Sequence, residues 1–148
     1  MSYKKIAIKR IHWETLKLPS SPNYCLLTPN SNSYDIQNSR VMYSPQLNCS
    51  IAKLEQTLIA ITQHEPRLKQ LKCNAHDSAQ QHYIQRSLLF RFPDLITIEC
   101  HPINASTSTF TLYSRSIYGY SDFGVNKRRV ENYLKVLTKE LTIIEPTK

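Results

Sequence analysis

Two stretches of the chain repeat apolar residues at steps of three and four, the spacing of one face of an α-helix. The first stretch runs from Ser50 to Gln63, and its apolar stripe consists of Ile51, Leu54, Leu58 and Ile61. The second runs from about Lys127 to Ile143, and its stripe consists of Val130, Leu134, Leu137, Leu141 and Ile144. Each pattern predicts an amphipathic helix with one buried face.

Between these helices, apolar and polar residues alternate, which is typical of strands with one buried face. Alternation is visible over residues 71–75, 84–92, 96–101 and 109–113. The breaks between these stretches are short, and short links suit hairpins rather than helical crossovers. The sequence therefore predicts an antiparallel sheet.

Together, the helices and strands predict an α+β fold arranged as a two-layer sandwich. We expect an antiparallel meander of about four or five strands, with the two amphipathic helices on one face. A single domain over residues 1–148 has room for these elements. Its predicted parts are an N-terminal arm or strand (1–18), a wrapping loop segment (19–48), and a region containing a helix, the strand meander and the C-terminal helix (49–145).

The charge of the chain favours acidic partners. Its 148 residues carry a formal net charge of +8, which favours nucleic acid, an anionic membrane surface or an acidic protein without choosing among them. No apolar run approaches the ~20 residues that a transmembrane helix needs. Basic residues interrupt every apolar run after Met1, so no secretory signal is expected and a cytoplasmic location is the default.

The cysteines and histidines do not form a metal-binding motif. The four cysteines lie far apart, at Cys25, Cys49, Cys73 and Cys100. In a reducing compartment we expect buried thiols, although oxidation would leave three pairings open. The candidate metal ligands are Cys73-x-x-His76, His82 and Cys100-His101. Zinc sites need tighter paired spacing, so we predict neither a metal nor a cofactor.

Both glycines of the chain, Gly119 and Gly124, lie between the last predicted strand and the last predicted helix. Glycine is the default residue where φ must be positive, so these two predict an irregular structural turn. Asn126 follows the turn and is a good N-cap. The sequence therefore predicts a strand, a turn and a helix start in this order.

The first turn of the last helix carries three cations, at residues 127–129. This is the unfavourable end for cations, because a helix N-terminus already has partial positive charge. Asp122 would offset it as a local ion pair, and a bound phosphate or carboxylate would also do so. The first explanation is a structural one, whereas the second predicts an anion site.

The sequence around this turn resembles the signature of the domain of unknown function 1499 family, an uncharacterised bacterial and plastid protein family. The matching positions are Ser114, Ser116, Gly119, Asp122, Gly124, Asn126 and Arg129. Tyr113 and Ile117 stand where the family usually has arginines. Looser matches occur at Ser21-Pro22-Asn23 and at Phe90-Arg-Phe-Pro-Asp94. The resemblance covers about residues 20–140 and implies no reaction.

Our first functional hypothesis is a non-enzymatic binding domain, with an anion or partner site at the turn and helix start. The predicted ligand-binding residues are Arg115, Asp122, Asn126, Arg128 and Arg129. The arginines would supply charge, Asn126 and backbone N–H groups would give direction, and Asp122 would orient the arginines.

Two alternatives remain open. A small hydrolase-like enzyme would use Asp94 or Asp122 as an acid or base, but no nucleophile motif is present, so we predict no catalytic residue. A nucleic-acid accessory protein would use the net charge and the tyrosines, but the chain has no RNP-like aromatic motif. The sequence leaves the oligomeric state open.

Overall fold

The structure is a computed structural model that describes residues 8–73, 79–88, 92–119 and 122–144. Within these ranges it contains two α-helices, α1 (Ile51–Gln63) and α2 (Val125–Glu140). The described strands are β1 (Tyr24–Thr28), β2 (Val41–Tyr43), β3 (Gln46–Leu47), β4 (Leu68–Leu71), β5 (Gln81–Arg86), β6 (Pro93–Asn104), β7 (Thr107–Ser116) and β8 (Ile143–Ile144).

These eight strands form one mixed sheet, with β2-β1-β7-β6-β5-β4 as its main order. From β4 to β7, each strand pairs antiparallel with the next. Strand β1 pairs antiparallel with β7 and parallel with β2. Strand β3 joins β7 to β8. The fold is α+β, as predicted, but the prediction of an antiparallel meander of four or five strands is wrong, because the sheet is larger and partly parallel.

The segment 19–48, which we expected to be a wrapping loop, contains three of these strands. Its strand β1 lies in the interior of the sheet, and all five of its residues are buried. Cys25 and Leu27 pack on the helix side, whereas Tyr24 and Leu26 pack on the other side. A strand that is buried on both faces does not show the alternation that reveals a half-exposed strand.

Helices α1 and α2 pack on the same face of the sheet, over β1, β6 and β7. The core between them includes Leu54, Leu58, Val130, Tyr133 and Leu137 from the helices, and Leu27, Ile96, Ile98, Phe110 and Leu112 from the strands. Full burial of one such aliphatic side chain stabilises a fold by roughly 1.5–3 kcal/mol. This core therefore holds the helices against the sheet and fixes the position of the start of α2.

The opposite face of the sheet is covered by the chain that precedes β1. Ile11, Trp13, Leu16 and Leu18 pack with Tyr34 against a small cluster of Tyr24, Leu26 and Tyr113. The rings of Tyr24 and Tyr113 meet edge to face, with their centroids 6.4 Å apart. We call this side of the sheet the N-terminal face, and the other side the helix face.

Both ends of α2 differ from the prediction. The N-cap is Gly124, not Asn126, and Asn126 is the second residue of the helix. The helix ends at Glu140, because the chain then turns extended and Ile143 pairs with Leu47. Helix α1 begins as predicted, with the Ser50 hydroxyl accepting a hydrogen bond from the Lys53 N–H.

Candidate functional site

Arg129 of α2 points toward the helix face of the sheet, where its guanidinium is surrounded by acceptors from three strands and its own helix. Its Nη2 lies 2.8 Å from Asp94 Oδ2, and the two side chains are only 11% and 10% exposed. Its Nε donates to Gln85 Oε1 at 2.8 Å. Its Nη1 donates to Ser114 Oγ at 3.0 Å and to Asn126 Oδ1 at 2.8 Å. Arg129 therefore joins β5, β6 and β7 to α2.

Asn126 extends this network toward the start of β1. Its side-chain amide donates to Asp122 Oδ2 at 2.6 Å, to Ser116 Oγ at 2.9 Å and to the Asn23 carbonyl at 3.2 Å. Its Oδ1 accepts from Ser114 Oγ at 2.6 Å. Asn126 is fully buried, and unpaired polar atoms there would be costly. These contacts explain why an asparagine occupies a buried helical position.

Asp122 occupies the N-terminus of α2. Its two carboxylate oxygens accept hydrogen bonds from the backbone N–H groups of Gly124 at 2.8 Å and Asn126 at 3.0 Å. A carboxylate at this position offsets the partial positive charge of the helix start. Asp122 therefore acts on N–H groups and on Asn126, while the carboxylate that pairs with an arginine is Asp94.

The two glycines shape the turn that brings Asp122 to the helix. Gly119 has φ 88° and Gly124 has φ 80°, a left-handed conformation that is costly for most other residues. The Gly119 carbonyl also accepts a hydrogen bond from Asn23 Nδ2 at 2.6 Å. Both glycines therefore have a backbone conformation that favours glycine over other residues.

The five predicted ligand-binding residues lie in three different places. Asp122, Asn126 and Arg129 are linked by the hydrogen bonds above. Arg128 is exposed, and its Nη1 donates to the Phe123 carbonyl at 2.9 Å. Arg115 lies on the N-terminal face, where its Nη1 donates to Thr97 Oγ1 at 2.8 Å and its guanidinium carbon lies 4.6 Å from the centre of the Tyr113 ring. Burial lowers the pKa of Arg115 to about 10.

The sequence of this chain matches a known family model over most of its length. The model of a protein family of unknown function, DUF1499, matches residues 17–137. The chain belongs to the DUF1499 family. No curated protein and no solved structure matches it at a significant level.

The residues that carry the DUF1499 resemblance meet in space, although they come from three separate parts of the sequence: position 23, position 94 and positions 114–129. We use the name signature network for the set formed by Asn23, Gln85, Asp94, Ser114, Ser116, Asp122, Asn126 and Arg129. The looser Ser21-Pro22-Asn23 match contributes Asn23, whose carbonyl accepts from Asn126 and from the Ser116 N–H. Of the second looser match, Phe90 and Arg91 lie outside the described residues, and Asp94 is the partner of Arg129.

Sequence reasoning missed Gln85 in this DUF1499 network. Gln85 lies on β5 beside Asp94 of β6, and it also donates to Glu65 Oε2 at 3.2 Å and to the Pro66 carbonyl at 3.0 Å. The alternation of the strand suggested a solvent-facing glutamine. Its burial was not visible in the sequence, because it depends on contacts with Arg129 of α2 and with Glu65 and Pro66, which lie far from it along the chain.

The signature network contains acids and hydroxyls, but each is engaged in holding the fold. Ser114 Oγ donates to an amide oxygen and accepts from Arg129, which is not the environment that activates a serine nucleophile. Asp94 and Asp122 accept from the arginine, from N–H groups and from Asn126. This part of the DUF1499 domain therefore has the chemistry of a structural clamp.

The remaining predictions concern metals, thiols and membranes. In the described part of the chain, no group of three or more His, Cys, Asp or Glu side chains is placed to hold a metal ion, and the candidate ligand His76 lies outside it. All four cysteines are free thiols, and burial raises the pKa of Cys25 and of Cys100 to about 12. Neither described helix is long and apolar enough to cross a membrane.

Proposed function

We propose that this DUF1499 protein is a non-enzymatic binding domain, in which the start of α2 and the turn before it receive an anionic group of a ligand or partner. The site would consist of the exposed side chains of Tyr118, Phe123 and Arg128, together with the partly buried Lys127. We call this set the helix-start surface. The signature network lies behind it and holds it in place.

The charge of the helix-start surface supports an anionic partner. Asp94 pairs with Arg129 and Asp122 caps the helix. Among the described residues, no carboxylate forms a salt bridge with Lys127 or Arg128. Two cations at a helix N-terminus raise the local positive potential, and the whole chain is already at +8. An acidic group would be attracted to this end of the domain.

One observation carries the proposal: Phe123 is 87% exposed and has a φ of 53°. A bulky residue with positive φ is strained, and such strain concentrates at functional sites. The Asp122 cap and the Arg128 hydrogen bond to the Phe123 carbonyl keep the backbone in this shape. Tyr118 is a further half-exposed ring on the same turn segment. The surface thus presents aromatic rings beside cations, which suits a partner with both an acidic and an apolar group.

The hydrolase alternative, with Asp94 or Asp122 as acid or base, has no observation in its favour, because both carboxylates serve in structural contacts. The nucleic-acid alternative is not favoured either, since a surface of two cations supplies few phosphate contacts. A binding function therefore remains the proposal that fits the contacts best.

Phenyl phosphate is a suitable probe, since it combines an anion with a ring. In an NMR titration at constant ionic strength, we expect it to shift the amide signals of residues 123–128 more strongly than inorganic phosphate does. Arg128→Ala should weaken both probes, whereas Phe123→Ala should weaken phenyl phosphate alone.

Lys139→Ala is the matched control, because Lys139 is a cation at the other end of the same helix. It should leave both titrations unchanged. Shifts that follow lysines and arginines over the whole surface, or equal effects of Arg128→Ala and Lys139→Ala, would overturn the proposal.

A further inference from the structure

A cavity of about 670 Å³ lies on the N-terminal face, away from the signature network. Its floor is formed by Glu99, His101 and Thr111 of β6 and β7. Trp13 belongs to the segment that covers one side, and Tyr34 belongs to the loop on the other. Ligand pockets in proteins have volumes of roughly 300–1,000 Å³, so this cavity has room for a small organic molecule.

Two buried polar atoms of the residues that line this cavity have no hydrogen-bond partner within the described structure. They are the indole N–H of Trp13 and the Oε1 atom of Glu99. Buried polar groups in native proteins almost always have partners, so an exception calls for a bound molecule or ordered water. One of these atoms is a donor and the other is an acceptor, and both belong to residues that line the same cavity.

The charge of Glu99 is not matched by the neighbouring side chain. His101 Nδ1 lies 3.5 Å from Glu99 Oε2, and its Nε2 lies 2.8 Å from Thr111 Oγ1. Burial lowers the pKa of His101, and the Glu99 carboxylate only partly opposes this effect. His101 is therefore neutral near neutral pH, and the floor of the cavity keeps the negative charge of Glu99, whose side chain is 13% exposed.

The other charged residues that line the cavity, Arg10 and Glu14, are both exposed, and they carry opposite charges. The rings of Trp13 and Tyr34 flank the cavity and are partly buried. Aromatic faces attract organic cations, most strongly when the cation is removed from water. A buried carboxylate between aromatic walls is thus complementary to a protonated amine with an apolar body.

We propose that this cavity binds a small organic ammonium compound, whose N–H donates to the carboxylate of Glu99. The rings of Trp13 and Tyr34 cover its apolar part. This site is independent of the helix-start surface, because it lies on the other face of the sheet and shares no residue with it.

Trp13 is the only tryptophan of the chain, so its fluorescence reports directly on the cavity. The probe is tyramine, which has an ammonium group, a ring and a phenol oxygen. We expect saturable quenching or a spectral shift of Trp13 at up to millimolar tyramine. Tyrosol, which has a hydroxyl in place of the amine, and 3-(4-hydroxyphenyl)propionate, which has a carboxylate, should bind at least about tenfold more weakly, because a hydrogen bond to a charged group is lost.

The comparison of these three probes uses the wild-type protein, so the test does not depend on any variant folding. A second arm uses Glu99→Gln, which keeps the size of the side chain and removes its charge. It should weaken tyramine at least about tenfold, whereas Glu140→Gln, which removes an exposed charge at the far end of α2, should have no effect. Absence of saturable binding, equal binding of the three probes, or full affinity in Glu99→Gln would overturn the proposal and leave water as the partner of both buried atoms.

Discussion

Each face of the sheet holds a largely buried arginine, and the two arginines have different partners. On the helix face, Arg129 meets the carboxylate of Asp94 and the oxygens of Gln85, Ser114 and Asn126. On the N-terminal face, no described carboxylate forms a salt bridge with Arg115. It donates to Thr97 Oγ1 and to the Tyr113 carbonyl, and burial lowers its pKa to about 10.

The same contrast holds for the acids. Asp94 on the helix face is held by an arginine. Glu99 on the N-terminal face has only a neutral histidine beside it, and one of its oxygens has no partner within the described residues. Polar groups that are all satisfied rigidify a fold, whereas unsatisfied ones mark places where another molecule has room to bind. The contrast holds for the charged groups: the Asp94 carboxylate on the helix face is paired, whereas Glu99 on the N-terminal face has an oxygen without a partner. It does not extend to every polar group, since the buried Tyr133 hydroxyl on the helix face also has no partner within the described residues.

The largest expected effect is a difference in the free energy of unfolding between variants of the two arginines. Arg129→Ala leaves the Asp94 carboxylate buried and unpaired, and breaking a buried ion pair in this way costs about 3–5 kcal/mol. Arg115→Ala leaves no carboxylate unpaired, so its cost should be lower, at about 1.5–3 kcal/mol for the lost hydrogen bonds of a charged group. Urea denaturation of both variants measures the difference in the free energy of unfolding.

Arg128→Ala is the control for this pair, because Arg128 is exposed and its lost hydrogen bond lies at the surface. It should change stability little. If Arg115→Ala destabilises the domain as much as Arg129→Ala does, the contrast between the two faces is wrong.

Sequence alone could predict a substantial part of this arrangement, including the face of the sheet on which Arg115 lies. The alternation over residues 109–113 predicts that Phe110 and Leu112 lie on the buried face of the last strand. Extending the same alternation puts Ser114 on that face and Arg115 on the other. The grouping of Arg115 with Arg129 therefore conflicts with the period of the strand itself, since successive side chains of a strand point to opposite faces.

Other features could not be predicted from local patterns. Strand β1 is buried on both sides, so it shows no alternation. The partners of Asn126 include Asn23, which is 103 positions away. The cavity on the N-terminal face depends on where residues 11–18 cross the sheet, and no motif specifies that path. Long-range contacts of this kind become visible only when the chain is folded.

A second prediction concerns how the stability of the domain depends on pH, through a histidine on the N-terminal face. His82 is buried, with its Nδ1 2.9 Å from Thr97 Oγ1. Burial, aided by Arg115, lowers its pKa from 6.5 to about 4. The unfolded chain therefore binds more protons than the folded one between these values, so stability falls as the pH drops through this window.

The expected loss is about 3 kcal/mol at most, with about 2 kcal/mol of it between pH 7 and pH 5. His101 titrates in the same direction, since burial lowers its pKa as well. Comparing His82→Asn with the wild type isolates the share of His82: the variant should show a shallower fall in stability over this range, measured by denaturation at several pH values. An unchanged slope would show that His82 is not held neutral.

The smallest expected effect tests the contrast most directly, because removing one of two buried carboxylate charges should leave the free energy of unfolding almost unchanged. Asp94→Asn and Glu99→Gln both replace a carboxylate by an amide of nearly equal size. The first removes the partner of Arg129 and should cost several kcal/mol, since an uncompensated guanidinium stays buried. The second removes the charge of a carboxylate whose Oε1 atom has no partner in the described structure. Its free energy of unfolding should therefore change by less than about 1 kcal/mol, and a small increase would also agree with the proposal.

Urea denaturation of the two variants side by side measures both values. A large loss in Glu99→Gln would mean that Glu99 already holds the fold together, as Asp94 does, and that the N-terminal face is a second clamp.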